Sequence, residues 1–175
     1  SYFGREGGIT LSGGEPLLQR DFAAEVFRIC HEQNIHTCLD TSGCADGEKC
    51  ATVLQHTDRI LLDIKYTLPE QYEQHVGCKM QQPLAFLEAV NARNIPTTLR
   101  QVIIPTLNDT QENVLRLLDI AKRYPCVDKI ELLPFRKICQ TKYDMMGIVF
   151  PFGHLPEPDP KQMDKLRKVL GTYGG

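Results

Sequence analysis

The stretch Arg59-Ile60-Leu61-Leu62-Asp63-Ile64-Lys65 decides the fold. Ile60, Leu61, Leu62 and Ile64 form a short apolar run with no helical rhythm and no internal glycine or proline. Such a run suits a strand buried on both faces, the habit of parallel sheets covered by helices. Asp63 and Lys65 flank its last apolar position, and charged groups are seldom buried without partners.

Outward from this strand the same unit recurs in both directions. Upstream, Ile9–Ser12 reads as a strand, followed by a Gly-Gly turn and a helix over Asp21–Gln33 that buries Phe22, Val26, Phe27 and Cys30. His36–Asp40 is the next strand and Glu48–Gln55 a weaker helix. Downstream, Pro83 opens a helix over Leu84–Ala92, where its missing N–H costs nothing. Thr97–Ile104 is a fourth strand. Asp109 and Glu112 suggest a capping box for a helix with Val114, Leu117, Leu118 and Ala121 on one side. Lys129–Leu133 is a fifth strand, and a helix begun by Asp159 and Pro160 buries Met163, Leu166 and Leu170. The segment between Pro134 and Asp159 is too long for a simple connector and reads as functional or mobile. The expectation is one α/β domain over residues 1–175, a mainly parallel and open sheet of about five strands with outer helices. Five units are too few for a closed eight-stranded barrel. The chain lacks an initiator methionine and reaches a strand almost at once, so an N-terminal unit upstream is expected.

Composition removes several classes of function. A net charge of -2 with no long basic run gives no footprint for a nucleic-acid backbone. No apolar run approaches the roughly 20 residues that span a bilayer, so a cytoplasmic protein without membrane contact is expected. The seven cysteines are an odd set at scattered spacings, without a CxxC or CxxxCxxC run. They are read as reduced and structural rather than as a disulfide framework, with Cys30 on a helix and Cys38 in a strand acting as small hydrophobes. The histidines show no metal-binding spacing and receive no role.

In parallel α/β folds the polar residues at the carboxyl ends of strands meet on one rim, where ligands bind. The first strand delivers Gly13, Gly14 and Glu15: either a backbone that a ligand can approach closely, with a carboxylate beside it, or a tight turn with a solvated glutamate. The second delivers Asp40, Thr41, Ser42 and Gly43, which either cap a helix or place a carboxylate and hydroxyls in the site. The third delivers Asp63 and Lys65, either functional or a structural ion pair. Asp40, Thr41 and Asp63 are oxygen donors able to hold a hard cation. Arg100 on the fourth strand suits a carboxylate, facing either rim or solvent. After the fifth, Phe135 and Arg136 offer either a platform and cation for a flat ring or an ordinary core and surface pair.

Taken in order, Ile9–Gln19, His36–Gly43, Leu61–Lys65, Leu99–Pro105 and Lys129–Pro134 resemble the radical S-adenosylmethionine (SAM) family, in particular its glycyl-radical-enzyme activases, of the kind that act on pyruvate formate-lyase. The resemblance implies a partial (β/α)6 barrel of the TIM type. It implies that Gly13, Gly14 and Glu15 hold the amino end of the methionyl group, and that Lys65 and Arg100 lie near its carboxylate or the substrate peptide. Asp40, Thr41 and Asp63 match positions that hold a monovalent cation in such activases, although Leu61 replaces a methionine there; Arg136 stands where they have a ligand-contacting histidine. The chemistry implied is reductive cleavage of SAM at a [4Fe–4S] cluster, giving a 5′-deoxyadenosyl radical that takes hydrogen from a glycine of a partner enzyme. The cluster's CxxxCxxC loop would lie upstream of Ser1, so no catalytic residue is assigned within this stretch and the stretch alone is expected to be inactive. Pyruvate formate-lyase, a diol dehydratase and an anaerobic ribonucleotide reductase are the partner enzymes implied, with flavodoxin or a similar electron donor. A cluster-free binding or regulatory barrel is the reading from a different class.

Overall fold

The computed structural model describes residues 7–46 and 48–174; the ends of the expected domain, 1–6 and 175, lie outside the described residues. Strands β1 (Gly8–Leu11), β2 (His36–Thr41), β3 (Arg59–Asp63), β4 (Thr97–Ile103) and β5 (Val127–Pro134) pair in parallel, each with its neighbour in sequence, in one open sheet. Between and after them run helices α1 (Arg20–Glu32), α2 (Ala51–Leu54), α3 (Pro69–Val76), α4 (Gln81–Asn91), α5 (Gln111–Arg123), α6 (Gln140–Met146) and α7 (Pro160–Val169).

The sheet sorts its side chains by the two-residue period of a strand. Leu39 and Thr41 of β2, Ile60 and Leu62 of β3, and Leu99, Gln101 and Ile103 of β4 are buried. They belong to or border a core shared with Phe27 of α1, Phe86 and Val90 of α4, and Val114 and Leu117 of α5. Each large apolar side chain fully withdrawn from water there stabilises the fold by about 1.5–3 kcal/mol. The alternate set, Asp40, Leu61, Asp63 and Arg100, is only half-buried. This corrects the reading of β3 as apolar on both faces, because five strands leave the second face of the sheet open enough to carry charge.

Other expectations also shift. Phe22 is exposed, since α1 turns Ala23 and Phe27 to the core instead. Helix α3 lacks an apolar stripe and was not expected; it opens on Pro69, ends at Gly77 and buries only Tyr72. The N-cap of α5 is Thr110, whose hydroxyl accepts from the Asn113 N–H at 3.2 Å, whereas Asp109 accepts from the Thr106 N–H. The segment after Pro134 holds a 3-10 turn and α6. Cys44 and Cys78, 34 residues apart, are paired as a disulfide, against the expectation of reduced thiols throughout. The pairing follows from packing that spacing does not reveal: Gly43, at φ 66°, lies so close to Leu62, Pro83 and Phe86 that the following residue reaches the turn between α3 and α4.

Candidate functional site

Parallel pairing carries every β-strand tip to the same rim. Leu11 of β1 is the register partner of Leu39, Thr41 of β2 of Leu62, and Asp63 of β3 of Arg100. The residues just past these pairs therefore meet. A cleft of about 350 Å³ is lined by Ser12, Gly13 and Gly14 from β1, Asp40, Thr41 and Ser42 from β2, Asp63 and Lys65 from β3, and Arg100 from β4.

At its first wall the glycines supply backbone rather than side chain. Gly13 and Gly14 sit at φ 92° and 25°, and a Cβ on either would meet nothing within 4 Å, so backbone conformation, not crowding, calls for glycine. Glu15 is turned inward. Its carboxylate accepts from the Leu17 N–H (3.1 Å), the Thr41 hydroxyl (2.7 Å), the Ser42 N–H (2.9 Å) and the Ser42 hydroxyl (2.6 Å). Charge-assisted bonds of this number tie the tip of β1 to the tip of β2 and fix the glycine turn between them.

The opposite wall is a network of alternating charge. The Arg100 guanidinium bonds to Asp63 Oδ1 at 2.9 Å and also to Asp40, while Lys65 Nζ reaches Asp63 Oδ2 at 2.6 Å. The Ser12 hydroxyl donates to Asp40 Oδ2 at 3.1 Å. Two carboxylates are thus matched by two cations at half-buried positions. Burial pulls the Arg100 pKa down, but the charges of Asp63 and Asp40 outweigh it and leave it raised, so the guanidinium stays protonated. Below the network, burial pushes the Cys38 thiol up despite the Thr10 hydroxyl, which keeps it a neutral filler.

The structure therefore gathers Gly13, Gly14, Glu15, Asp40, Thr41, Asp63, Lys65 and Arg100, and leaves out one sequence candidate. Arg136 follows β5, is exposed and does not line the cleft. Phe135 is buried, in ring contact with Phe150 and Phe152, which favours its core reading. Ser42, at the same strand end as Asp40 and Thr41, turns its hydroxyl to Glu15 and lines the cleft.

A profile of the Radical SAM superfamily matches residues 3–118 of the chain. The chain belongs to the radical SAM superfamily. Among its superfamily relatives, the pyruvate formate-lyase-activating enzyme of Clostridium pasteurianum is 38% identical, over 97% of this chain and 71% of that protein. The pyruvate formate-lyase 1-activating enzyme of Escherichia coli (strain K12) is 32% identical, over 96% of this chain and 69% of that protein. In fold, the chain is similar to a domain of the pyruvate-formate lyase-activating enzyme from Bacteroides vulgatus ATCC 8482, with a TM-score of 0.77 at 22% identity, covering 96% of this chain and 95% of that one. Membership of the radical SAM superfamily implies SAM and a [4Fe–4S] cluster as cofactors. The cleft fits the first: exposed glycine backbone on one wall and cations on the other suit a ligand with an ammonium and a carboxylate. The chain's own cysteines do not fit the second, because among the described residues no three His, Cys, Asp or Glu side chains gather to hold metal. Nor is any helix of the described residues long and apolar enough to cross a membrane.

Proposed function

We propose that this chain is the SAM-binding barrel portion of a radical SAM activase whose partner is a glycyl radical enzyme. The observation that carries the reading is the meeting of Gly13, Gly14, Asp40, Lys65 and Arg100 in one cleft lined from four consecutive strands. The methionyl ammonium binds the carbonyls of the Gly13–Gly14 turn. Glu15 serves that contact from beneath, since its oxygens are already engaged by Leu17, Thr41 and Ser42. Lys65 faces the methionyl carboxylate, and Arg100 holds Asp40 and Asp63 so that their charges are balanced. A [4Fe–4S] cluster, for which this chain's own cysteines do not gather among the described residues, would supply the electron for reductive cleavage of the sulfonium bond. The chain's residues bind and orient SAM and shield it from water.

A monovalent cation at Asp40, Thr41 and Asp63 is a weaker fit. Both carboxylates already have Arg100 or Lys65 as counter-ions and the Thr41 hydroxyl is given to Glu15, so a cation would have to displace one of them. Arg136 as a nucleoside contact lacks a place in the cleft. Pyruvate formate-lyase is the partner favoured by the similarity of the named relatives. A flavodoxin-type electron donor and a cytoplasmic setting belong to the same proposal.

The test is calorimetric titration of the chain with SAM, alongside Gly14→Val, which closes the glycine wall. Binding by the wild type that Gly14→Val abolishes supports the reading; no difference between them rejects it. Reconstitution of the complete coding sequence with iron and sulfide then tests for reductive release of 5′-deoxyadenosine and methionine.

A further inference from the structure

Lys65 lies beyond the end of β3, where no strand hydrogen bond fixes its own amide. The preceding residue is still held by the sheet, its N–H donating to the Arg100 carbonyl at 2.9 Å. The Lys65 N–H instead donates to the Tyr72 phenol oxygen at 3.0 Å. On its other side the Lys65 carbonyl accepts from Gln101 Nε2 at 3.5 Å. Both partners are buried, Tyr72 fully and Gln101 to 1% exposure. The backbone that launches the lysine is therefore gripped by one residue from α3 and one from β4, while its ammonium rests on Asp63.

The Gln101 side of this grip is itself braced. Its Oε1 accepts from Asn113 Nδ2 at 2.8 Å, Asn113 Oδ1 accepts from the Thr67 hydroxyl at 2.7 Å, and Arg116 Nε donates to that hydroxyl at 3.0 Å. Replacing both partners of a buried hydrogen bond by apolar groups can be nearly neutral, whereas removing the acceptor alone leaves the donor unpaired. A phenylalanine would fill the Tyr72 site equally well, with its ring edge-on to Tyr66 as now. What phenylalanine cannot do is accept the Lys65 N–H.

We infer that Tyr72 is a positioning residue for the Lys65 ammonium: its phenol oxygen, opposite Gln101, fixes the backbone from which Lys65 meets the carboxylate of SAM. The inference rests on the SAM reading of the cleft and deepens it. A slack Lys65 backbone would let the ammonium retreat along its flexible stem, weakening recognition of the ligand's carboxylate while leaving the glycine wall untouched.

The experiment is calorimetric titration of wild type, Tyr72→Phe, Lys65→Ala and the double variant with SAM and with decarboxylated SAM, at a temperature well below each Tm. Tyr72→Phe is expected to weaken SAM by about three- to tenfold, the range that one hydrogen bond commands. It should leave the decarboxylated ligand within about twofold and add nothing once Lys65 is alanine. Unchanged SAM affinity in Tyr72→Phe, or equal loss of both ligands, overturns the positioning role even if Lys65→Ala and Gly14→Val still lose SAM. Wild-type chain that binds no SAM overturns both readings. Should Tyr72→Phe not fold, Gln101→Leu removes the opposite grip and carries the same expectations.

Discussion

Asp63 and Arg100 are register partners on adjacent strands, and the guanidinium lies across the carboxylate at 2.9 Å while also reaching Asp40. Sheet pairing thus builds the charged wall before any ligand is present. Replacing Arg100 by alanine leaves half-buried Asp63 with Lys65 as its counter-ion and half-buried Asp40 with the Ser12 hydroxyl in place of a cation. The expected cost is about 2–4 kcal/mol in urea denaturation, together with loss of SAM binding.

Gly43 is needed for a different reason from Gly13 and Gly14. A Cβ there would stand 2.8 Å from Leu62 Cδ1 and 3.2 Å from Pro83 Cα, at φ 66°. Gly43→Ala should lower stability by about 1–3 kcal/mol, read as a fall in Tm.

At the other end of the sheet, Asp58 accepts from the Thr37 N–H at 2.8 Å, from the Thr37 hydroxyl at 3.1 Å, and meets His31 Nε2 at 3.1 Å. Burial raises its pKa, but these bonds outweigh it and hold the carboxyl below its usual value. A carboxyl depressed on folding contributes stability that is complete above its unfolded pKa of about 4 and is lost as pH falls through the lower folded value. Denaturation midpoints should therefore drop on acidification below about pH 4, and Asp58→Asn should flatten that part of the curve.

The cap of α5 separates two readings of the same stretch. Thr110→Ala removes the acceptor of the Asn113 N–H and should cost about 1 kcal/mol. Glu112→Ala should cost much less, since no capping box is formed, and paired thermal melts distinguish the two.

Strands and rim were legible in the sequence because period-two burial and the run of glycines and charges after each apolar stretch are local signals. Asp40 and Asp63 could be placed at one edge without coordinates, since parallel pairing brings their strand ends together, whereas Arg100, inside its strand, faces rim or solvent equally well until the register is known. Helix α3 was not legible: with Tyr72 its sole buried side chain, it has no apolar period to find. The Cys44–Cys78 pair and the engagement of Glu15 by Ser42 depend on contacts across 34 and 27 residues, which composition and spacing do not encode. Gln101 is one polar letter in a strand, and only its burial in the fold marks an amide that must find a partner.

The order of strands in the sheet follows the order in which they are synthesised. Each pairing closes a loop of one helical crossover except the widest, Ile60 to Thr97, which carries both α3 and α4, so each step of assembly joins strands that are neighbours in sequence. During translation the latch from Ser42 to Glu15 can shut while the codon for Arg100 is still unread. The pocket is then built from one end, and its last wall settles against a template that already exists.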